Sequence, residues 1–383
     1  MSSKSNHDPL TGLVLTGGGA RAAYQVGVLR AISDITGFQE NPFKIITGFS
    51  AGAINGTWLA SRHEDFATCT KGMWEAWANI EMDQVFKTSS ASLAHIAFRW
   101  MKDLMSGGVL QDQQISHLLD TSPLNDFLNQ KIDFDALKKH IDARTIRGIS
   151  MISANYHTGQ STAFFAGDQS IEKWEGMNKI SVRTDIRAHH VMASSAIPIF
   201  FPPIRIGDSF YGDGMVRLTS PLSPAIHMGS DRMLVIGIRG PSGQSQPPPS
   251  GEPTISVGEI AGTVLNGLFF DALDADITRM KKLNQAVSFL NEEQFERQID
   301  KIRYIPLLTL NPSEEVVASE ECELKHLPVT FNYLLRGLGV TNNKGRDLLS
   351  YLAFEPQYMQ SLLELGFEDT VKKKHEVLEF FKV

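Results

Sequence analysis

Apolar and polar positions in the first part of the chain follow two alternating rhythms. Short runs rich in leucine and β-branched residues, Leu13–Thr16 and Lys44–Gly48, lead into stretches with helical spacing, Ala20–Ile35 and Ala51–Ser61. Gly148–Ala154 and Arg232–Ile238 are further β-rich runs. Continuous apolar runs separated by helical stretches predict strands covered on both faces, hence an α/β layered fold around a largely buried sheet.

The pattern changes at GPSGQSQPPPSGEP, Gly240–Pro253, where glycine, serine and proline dominate and predict a loop or linker. Beyond it the spacing is mainly helical, over Ile255–Phe270, Ala272–Asn291, Val329–Leu338 and Asn343–Phe354. Ile302–Leu310 reads as a strand that returns to the sheet. The expected organisation is an α/β domain over 10–239, a linker over 240–254 and a mainly helical region over 255–383 that packs on the domain. No internal repeat is present.

Two amphipathic stretches allow more than one use. Ser92–Leu110 places Leu93, Ile96, Ala97, Trp100, Met101 and Leu104 at helical spacing before Gly107-Gly108. A helix packed on the core is the simpler reading, a mobile lid the sharper one. Val371–Val383 mixes lysines with Phe380 and Phe381. It is expected to be a solvated terminal helix, with contact to an anionic bilayer as the alternative.

Composition narrows the classes. The 383 residues are 42% hydrophobic and 21% charged, which is globular, and the formal charge of −7 argues against a general nucleic-acid binder. The two cysteines, Cys69 and Cys322, form no CxxC or zinc spacing, so neither a disulfide framework nor a metal site is expected. No apolar run reaches the roughly 20 residues of a membrane-spanning helix, and the first residues lack the apolar core of a signal peptide. A cytoplasmic chain is expected, with peripheral membrane contact and oligomeric state left open.

The candidate chemistry lies in three glycine-bordered stretches. GFSAG (48–52) fits G-x-S-x-G, between a predicted strand and a predicted helix. A sharp turn there pushes Ser50 out of the pleat, Gly48 and Gly52 let neighbouring chain pass closely, and the helix points its positive end at Oγ. The alternative is a tight turn whose serine only caps the helix. In TGGGARA, Gly17, Gly19 and Ala22 satisfy a dinucleotide fingerprint, but that motif needs an acid at the end of the next strand. That strand ends in Thr47-Gly48-Phe49-Ser50, and Asp34 and Glu40 precede it. The better reading is an oxyanion hole made by the N–H groups of Gly17, Gly18 and Gly19, with Arg21 as a helper or as the partner of a carboxylate.

A serine nucleophile needs a base. His157, His189, His190, His227 and His326 follow Ser50, but none sits in a marking signature. In FYGDGMV (210–216) Asp213 stands between glycines after a short aromatic strand, either as an exposed carboxylate or as an ordinary Asp-Gly turn.

GGGARA (17–22), GFSAG (48–52), ASSAIPIFFPP (193–203) and DGM (213–215) together resemble the patatin-like phospholipase family in order and spacing, over about residues 10–225. The later part, with IPLLTLNPSEE, looks like bacterial members. Ala22 and Met215 depart from the small residues common in the family. Ala22 is small itself, while Met215 adds bulk that bears on substrate fit. The resemblance implies a three-layer patatin-like sandwich, with a central, mostly parallel sheet flanked by helices and a helical C-terminal region. It also implies a Ser–Asp dyad without histidine: Ser50 as nucleophile, Asp213 as proton acceptor and Gly214 supporting the motif. The implied activity is hydrolysis of fatty-acyl esters of a lipid or phospholipid through an acyl-enzyme, with no cofactor. An acyltransferase using the same acyl-enzyme and a non-catalytic lipid-binding protein are the alternatives.

Overall fold

The computed structural model describes residues 9–89, 117–241, 255–289, 302–316, 327–341 and 344–382. The Ser92–Leu110 stretch, most of the Gly/Pro/Ser-rich linker, Cys322 and His326 lie outside the described residues.

Strand β1 (Thr11–Leu15), helix α1 (Ala23–Thr36), strand β2 (Ile45–Phe49) and helix α2 (Ala51–Ser61) follow one another as the hydrophobic pattern requires. Helix α3 (Phe66–Ala78) starts on Asp65, whose carboxylate accepts the Thr68 N–H. The later strands are β3 (Gly148–Asn155), β4 (Ser161–Gly167), β5 (Glu175–Gly176), β6 (Lys179–Arg183), β7 (Ile204–Ile206), β8 (Ser209–Asp213), β9 (Arg232–Ile236) and β10 (Leu307–Leu310).

They form one sheet of order β10-β9-β1-β2-β3-β4-β6-β5, with the β7–β8 hairpin joined to β3. The run from β10 to β3 is parallel, and β3–β4 and β3–β8 are antiparallel. Ile302–Leu310 therefore does return to the sheet, through its last four residues.

The period of two explains the layers. Leu13 and Leu15 of β1 belong to a core shared with α1, α2 and α3, while Val14 between them belongs to a second core with Leu273 and Ile277. Those two residues come from a single helix, Val257–Ser288, where the sequence pattern suggested two helices broken near Asp271. Neither glycine nor proline stands at that point to stop it, and Ser256 with Glu259 forms a capping box at its start. On the opposite face the helix Pro356–Lys372 lies along α1.

The helix Lys374–Phe381 combines a solvated polar face with a packed aromatic one. Lys374 and His375 are exposed, but Phe381 of the last helix (Lys374–Phe381) is buried in aromatic contact with Phe38 and Phe43. Arg232 covers Phe380 and Phe381 and donates to the Phe380 carbonyl. The aromatic face is thereby used inside the fold. Among the described residues, no helix is long and apolar enough to cross a membrane.

Candidate active site

Adjacent parallel strands β1 and β2 end at the same edge, and the chain turns there from strand to helix twice. Ser50 takes the second turn alone, at φ 54 and ψ −135. A side chain other than glycine is strained in that region, which favours Ser50 there only if its surroundings hold it. They do. The Ser50 N–H faces the Ser194 carbonyl at 3.1 Å and the Ser194 hydroxyl at 3.2 Å. The Ser195 hydroxyl donates to the Ser50 carbonyl at 3.0 Å, and the Ser194 hydroxyl donates to the Ile152 carbonyl at 2.6 Å. In the sequence Ser194 and Ser195 are simply part of ASSAIPIFFPP. Two consecutive serines are too common in a sequence to mark this role without the fold.

The flanking glycines are required by close approach. A Cβ on Gly48 would lie 2.4 Å from the Gly52 carbonyl oxygen, and one on Gly52 would lie 2.4 Å from that of Leu15. Gly214 has the same constraint, at 2.3 Å from the Ile152 oxygen.

Asp213 arrives on β8, which pairs β3 just beyond the residues that pair β2. It ends β8 opposite Ser153 of β3, and its N–H donates to the Ala196 carbonyl at 2.8 Å. Its side chain is completely buried. One carboxyl oxygen accepts the Met215 N–H at 3.0 Å, and Oδ2 has no hydrogen-bond partner. Burial pushes this carboxyl up to about 7, and the nearby Ser50 side chain and the Met215 N–H pull it partway back. The Ser50 side chain thus neighbours the carboxyl, with no hydrogen bond formed between them. The Met215 side chain is itself buried in the main core.

The glycine turn lies against the serine. Among the described residues, none accepts a hydrogen bond from the N–H of Gly17, Gly18 or Gly19. Ala51 begins α2 beside Ser50, so its N–H has no acceptor within the helix either. Arg21 departs from the expected oxyanion role. Its buried guanidinium donates to Ser350 at 2.8 Å, Asp347 at 3.1 Å and Asn266 at 3.3 Å, and it stacks on Tyr351 at 4.2 Å. It joins the turn to the C-terminal region and has a carboxylate partner in Asp347, the second of the two roles its position allows.

No described histidine hydrogen-bonds Ser50. His190 accepts the Arg187 N–H, and burial lowers it to about 4, so it is neutral. His227 lies flat against Trp174.

Ser50 also lines a small apolar pocket of about 30 Å³, with Ile54, Trp77, Phe127, Phe201 and Phe354 among its walls. A hydroxyl, a buried carboxyl with a free oxygen, a row of free amides and an apolar pocket meet at one point. That arrangement can bind an acyl group and stabilise an oxyanion.

The family model for patatin-like phospholipase matches residues 13–226, more than half of the chain. The chain belongs to the patatin-like phospholipase family. The match covers the glycine turn, the serine elbow and Asp213, and ends before the helix Val257–Ser288. No curated protein matches this patatin-like chain. Among solved structures it is similar to human GIVD cytosolic phospholipase A2, at 12% identity and a TM-score of 0.48, over 98% of this chain and 60% of that one. It is also similar to VipD from Legionella pneumophila, at 12% identity and a TM-score of 0.37, over 96% of this chain and 67% of that one. The type III effector ExoU of Pseudomonas aeruginosa is similar at 14% identity and a TM-score of 0.37, over 97% of this chain and 53% of that one. The chain therefore spans about 60% of the human enzyme's length and about half of ExoU's.

Proposed function

We propose that the protein is a serine lipid acyl hydrolase of phospholipase A or lysophospholipase type, working through a Ser50–Asp213 dyad. The observation that carries this reading is the unpartnered Oδ2 of a fully buried Asp213 beside the side chain of Ser50. A carboxyl held at about 7 is a far better acceptor for a hydroxyl proton near neutral pH than an ordinary aspartate.

In the first step Asp213 takes the Ser50 proton as Oγ attacks the ester carbonyl. The carbonyl electrons move onto oxygen, and the N–H groups of Gly17–Gly19 and Ala51 stabilise the resulting charge. Each such donor is worth roughly 3–4 kcal/mol in the transition state. The intermediate collapses, the proton passes from Asp213 to the leaving alkoxide, and an acyl-Ser50 ester remains. Water then attacks that ester with Asp213 again accepting the proton, and the fatty acid leaves as Ser50 is restored. The apolar side chains of the small pocket beside Ser50 would contact the first carbons of the acyl chain.

The test is labelling with a serine-directed fluorophosphonate beside assays on a panel of phospholipids and lysophospholipids. Wild type is expected to label and to release fatty acid, Ser50→Ala to do neither, and Asp213→Asn to lose most of both. Full fatty-acid release by Ser50→Ala would end this reading.

A further inference from the structure

The outward face of the helix Val257–Ser288 changes character along its length. A water-facing helix face is ordinarily polar throughout. Here the exposed positions of the first turns are Val257 at 61%, Ile260 at 54%, Thr263, and Val264 at 53%. The one charged side chain before Asp271, that of Glu259, is bent back onto the Ser256 N–H and hydroxyl. Further along, the exposed positions include Asp271, Asp274, Arg279 and Lys282. Lys282 stands five whole turns beyond Val264 on the same line of helix, about 27 Å away.

The change falls at a definite level of the fold. Phe269 lies against Gly17, just past the end of β1, and the Asn284 side chain donates to the Ile305 carbonyl, just before β10 begins. The helix therefore runs antiparallel to these strands, and the turns before Phe269 stand beyond the sheet edge that carries Ser50. Arg239, which follows β9 at that edge, pairs with Asp274 at 2.8 Å and Asp271 at 3.5 Å, so the charged part of the face begins there. The projecting turns use one side for packing, where Gly258 approaches Val340 and Gly262 approaches Asp347. Their apolar side is left in solvent. The helix Val329–Gly337 ends against them, the Leu338 carbonyl accepting the Gly258 N–H at 2.7 Å, and its Val329 and Tyr333 are exposed as well.

Accepting that Ser50 acts on lipid esters, we propose that the ridge of Val257, Ile260 and Val264 seats the protein on a lipid surface, from which the ester reaches Ser50. The ridge rises from Phe269, which together with Ser50 brackets Gly17, so the apolar face and the nucleophile share one edge. An uncharged, convex row of aliphatic side chains matches the acyl layer just below the headgroups, and binding by it does not depend on anionic lipid. A second copy of the chain is poorly served. Positions 257, 260 and 264 span little more than one heptad where a coiled coil needs three or four, and a stable interface uses about 20–30 residues a side. A hydrophobic staple across the Ser256 cap would account for Ile255 and Ile260, but leaves Val257 and Val264 unexplained.

The experiment is co-sedimentation with phosphatidylcholine vesicles of Ser50→Ala, which keeps the surface and removes turnover. It is expected to bind, and adding Val257→Gln, Ile260→Gln and Val264→Gln should weaken partitioning by roughly tenfold or more, the scale of one buried aliphatic side chain. Glutamine forms helix better than valine or isoleucine, so the fold is kept, as a thermal melt verifies. High salt and Lys282→Gln should leave binding unchanged. A second readout locates the face: tail-brominated lipid should quench added emission from Ile260→Trp and not from Lys282→Trp. With Ser50 intact, the triple variant should keep its rate on a soluble butyryl ester and lose it on vesicles. Vesicle binding through these three positions by a protein that hydrolyses no ester would refute the hydrolase and support the ridge. Absence of vesicle binding, or equal binding by the triple variant, would overturn the proposal. So would a solution dimer that ignores vesicles and falls to monomer in the triple variant, which would assign the ridge to a second copy.

Discussion

A methyl group on Gly17 would lie 2.7 Å from the Cβ of Ser50, so the glycine turn and the serine elbow touch side by side. The same methyl would meet the Phe269 ring at 2.3 Å. The ring can tilt, but Ser50 is fixed by Ser194 and Ser195 on both sides of its peptide plane. Gly17→Ala should therefore displace the turn from the serine rather than the reverse. The expected result is a fall in kcat of about a hundredfold, the scale for losing one oxyanion donor, with a smaller change in KM. Steady-state kinetics on a soluble lipid ester, with a thermal melt to verify folding, checks it.

The pH dependence follows from Asp213. As a base it must be ionised, so kcat/KM should climb with pH through about 7 and level off above it. Stability runs the other way. The folded-state value is raised above the ordinary 3.8 of an unfolded aspartate, so folding favours the protonated form. The contribution of this group is most favourable below 3.8 and is lost as pH rises through about 7. Asp213→Asn, which carries no charge, should remove the activity limb. It should also gain a few kcal/mol over wild type above pH 7, and none in acid. Denaturant melts of both proteins across this range, beside rate profiles, decide it.

Much of this site was legible because its constraints fall on consecutive residues. Gly48 is required by the Gly52 carbonyl four positions on, the positive φ of Ser50 is a property of the turn itself, and the strand and helix on either side have their own periods. Other parts depend on partners that sequence spacing does not reveal. Arg21 bonds to Asn266, Asp347 and Ser350, more than 240 positions away. Nothing near Arg21 distinguishes a clamp from a catalytic cation. Phe381 is apolar next to lysines, and only the aromatic site made by Phe38 and Phe43 explains why it is buried. The long helix Val257–Ser288 serves the first core through Phe269 and Phe270 and the second through Leu273 and Ile277, a division between two cores that spacing along one helix does not reveal.

Ser194 and Ser195 should affect rate more than binding. Ser195→Ala removes the donor to the Ser50 carbonyl, worth about 1 kcal/mol. Ser194→Ala removes an acceptor for the Ser50 N–H and leaves the buried Ile152 carbonyl without that donor, so it should cost more, about 1–3 kcal/mol. Both loosen a strained φ, and small displacements of a nucleophile reduce kcat steeply. The expected order of kcat is wild type, then Ser195→Ala, then Ser194→Ala, with KM nearly constant. Reversal of that order, or an effect confined to KM, would mean these hydroxyls do not hold the elbow.

Arg21 separates a structural cation from a catalytic one. Its guanidinium is 4% exposed and committed to Ser350, Asp347, Asn266 and the Tyr351 ring. The Tyr351 carbonyl oxygen also lies 2.1 Å from where a Cβ on Gly19 would sit, so this cluster packs directly on the turn. Removing Arg21 strips several buried hydrogen bonds at once. Asp347 is 41% exposed and can turn to water, which keeps the loss below that of a fully buried ion pair. Arg21→Ala should therefore destabilise by about 2–3 kcal/mol, read as a lower urea midpoint. In the folded fraction, fluorophosphonate labelling of Ser50 should slow less than tenfold, against the hundredfold or more expected for an oxyanion donor. Arg21→Lys restores the charge but not the planar fork that reaches three partners, so it should recover little of the lost stability. A labelling rate that collapses while the urea midpoint stays put would return Arg21 to the chemistry.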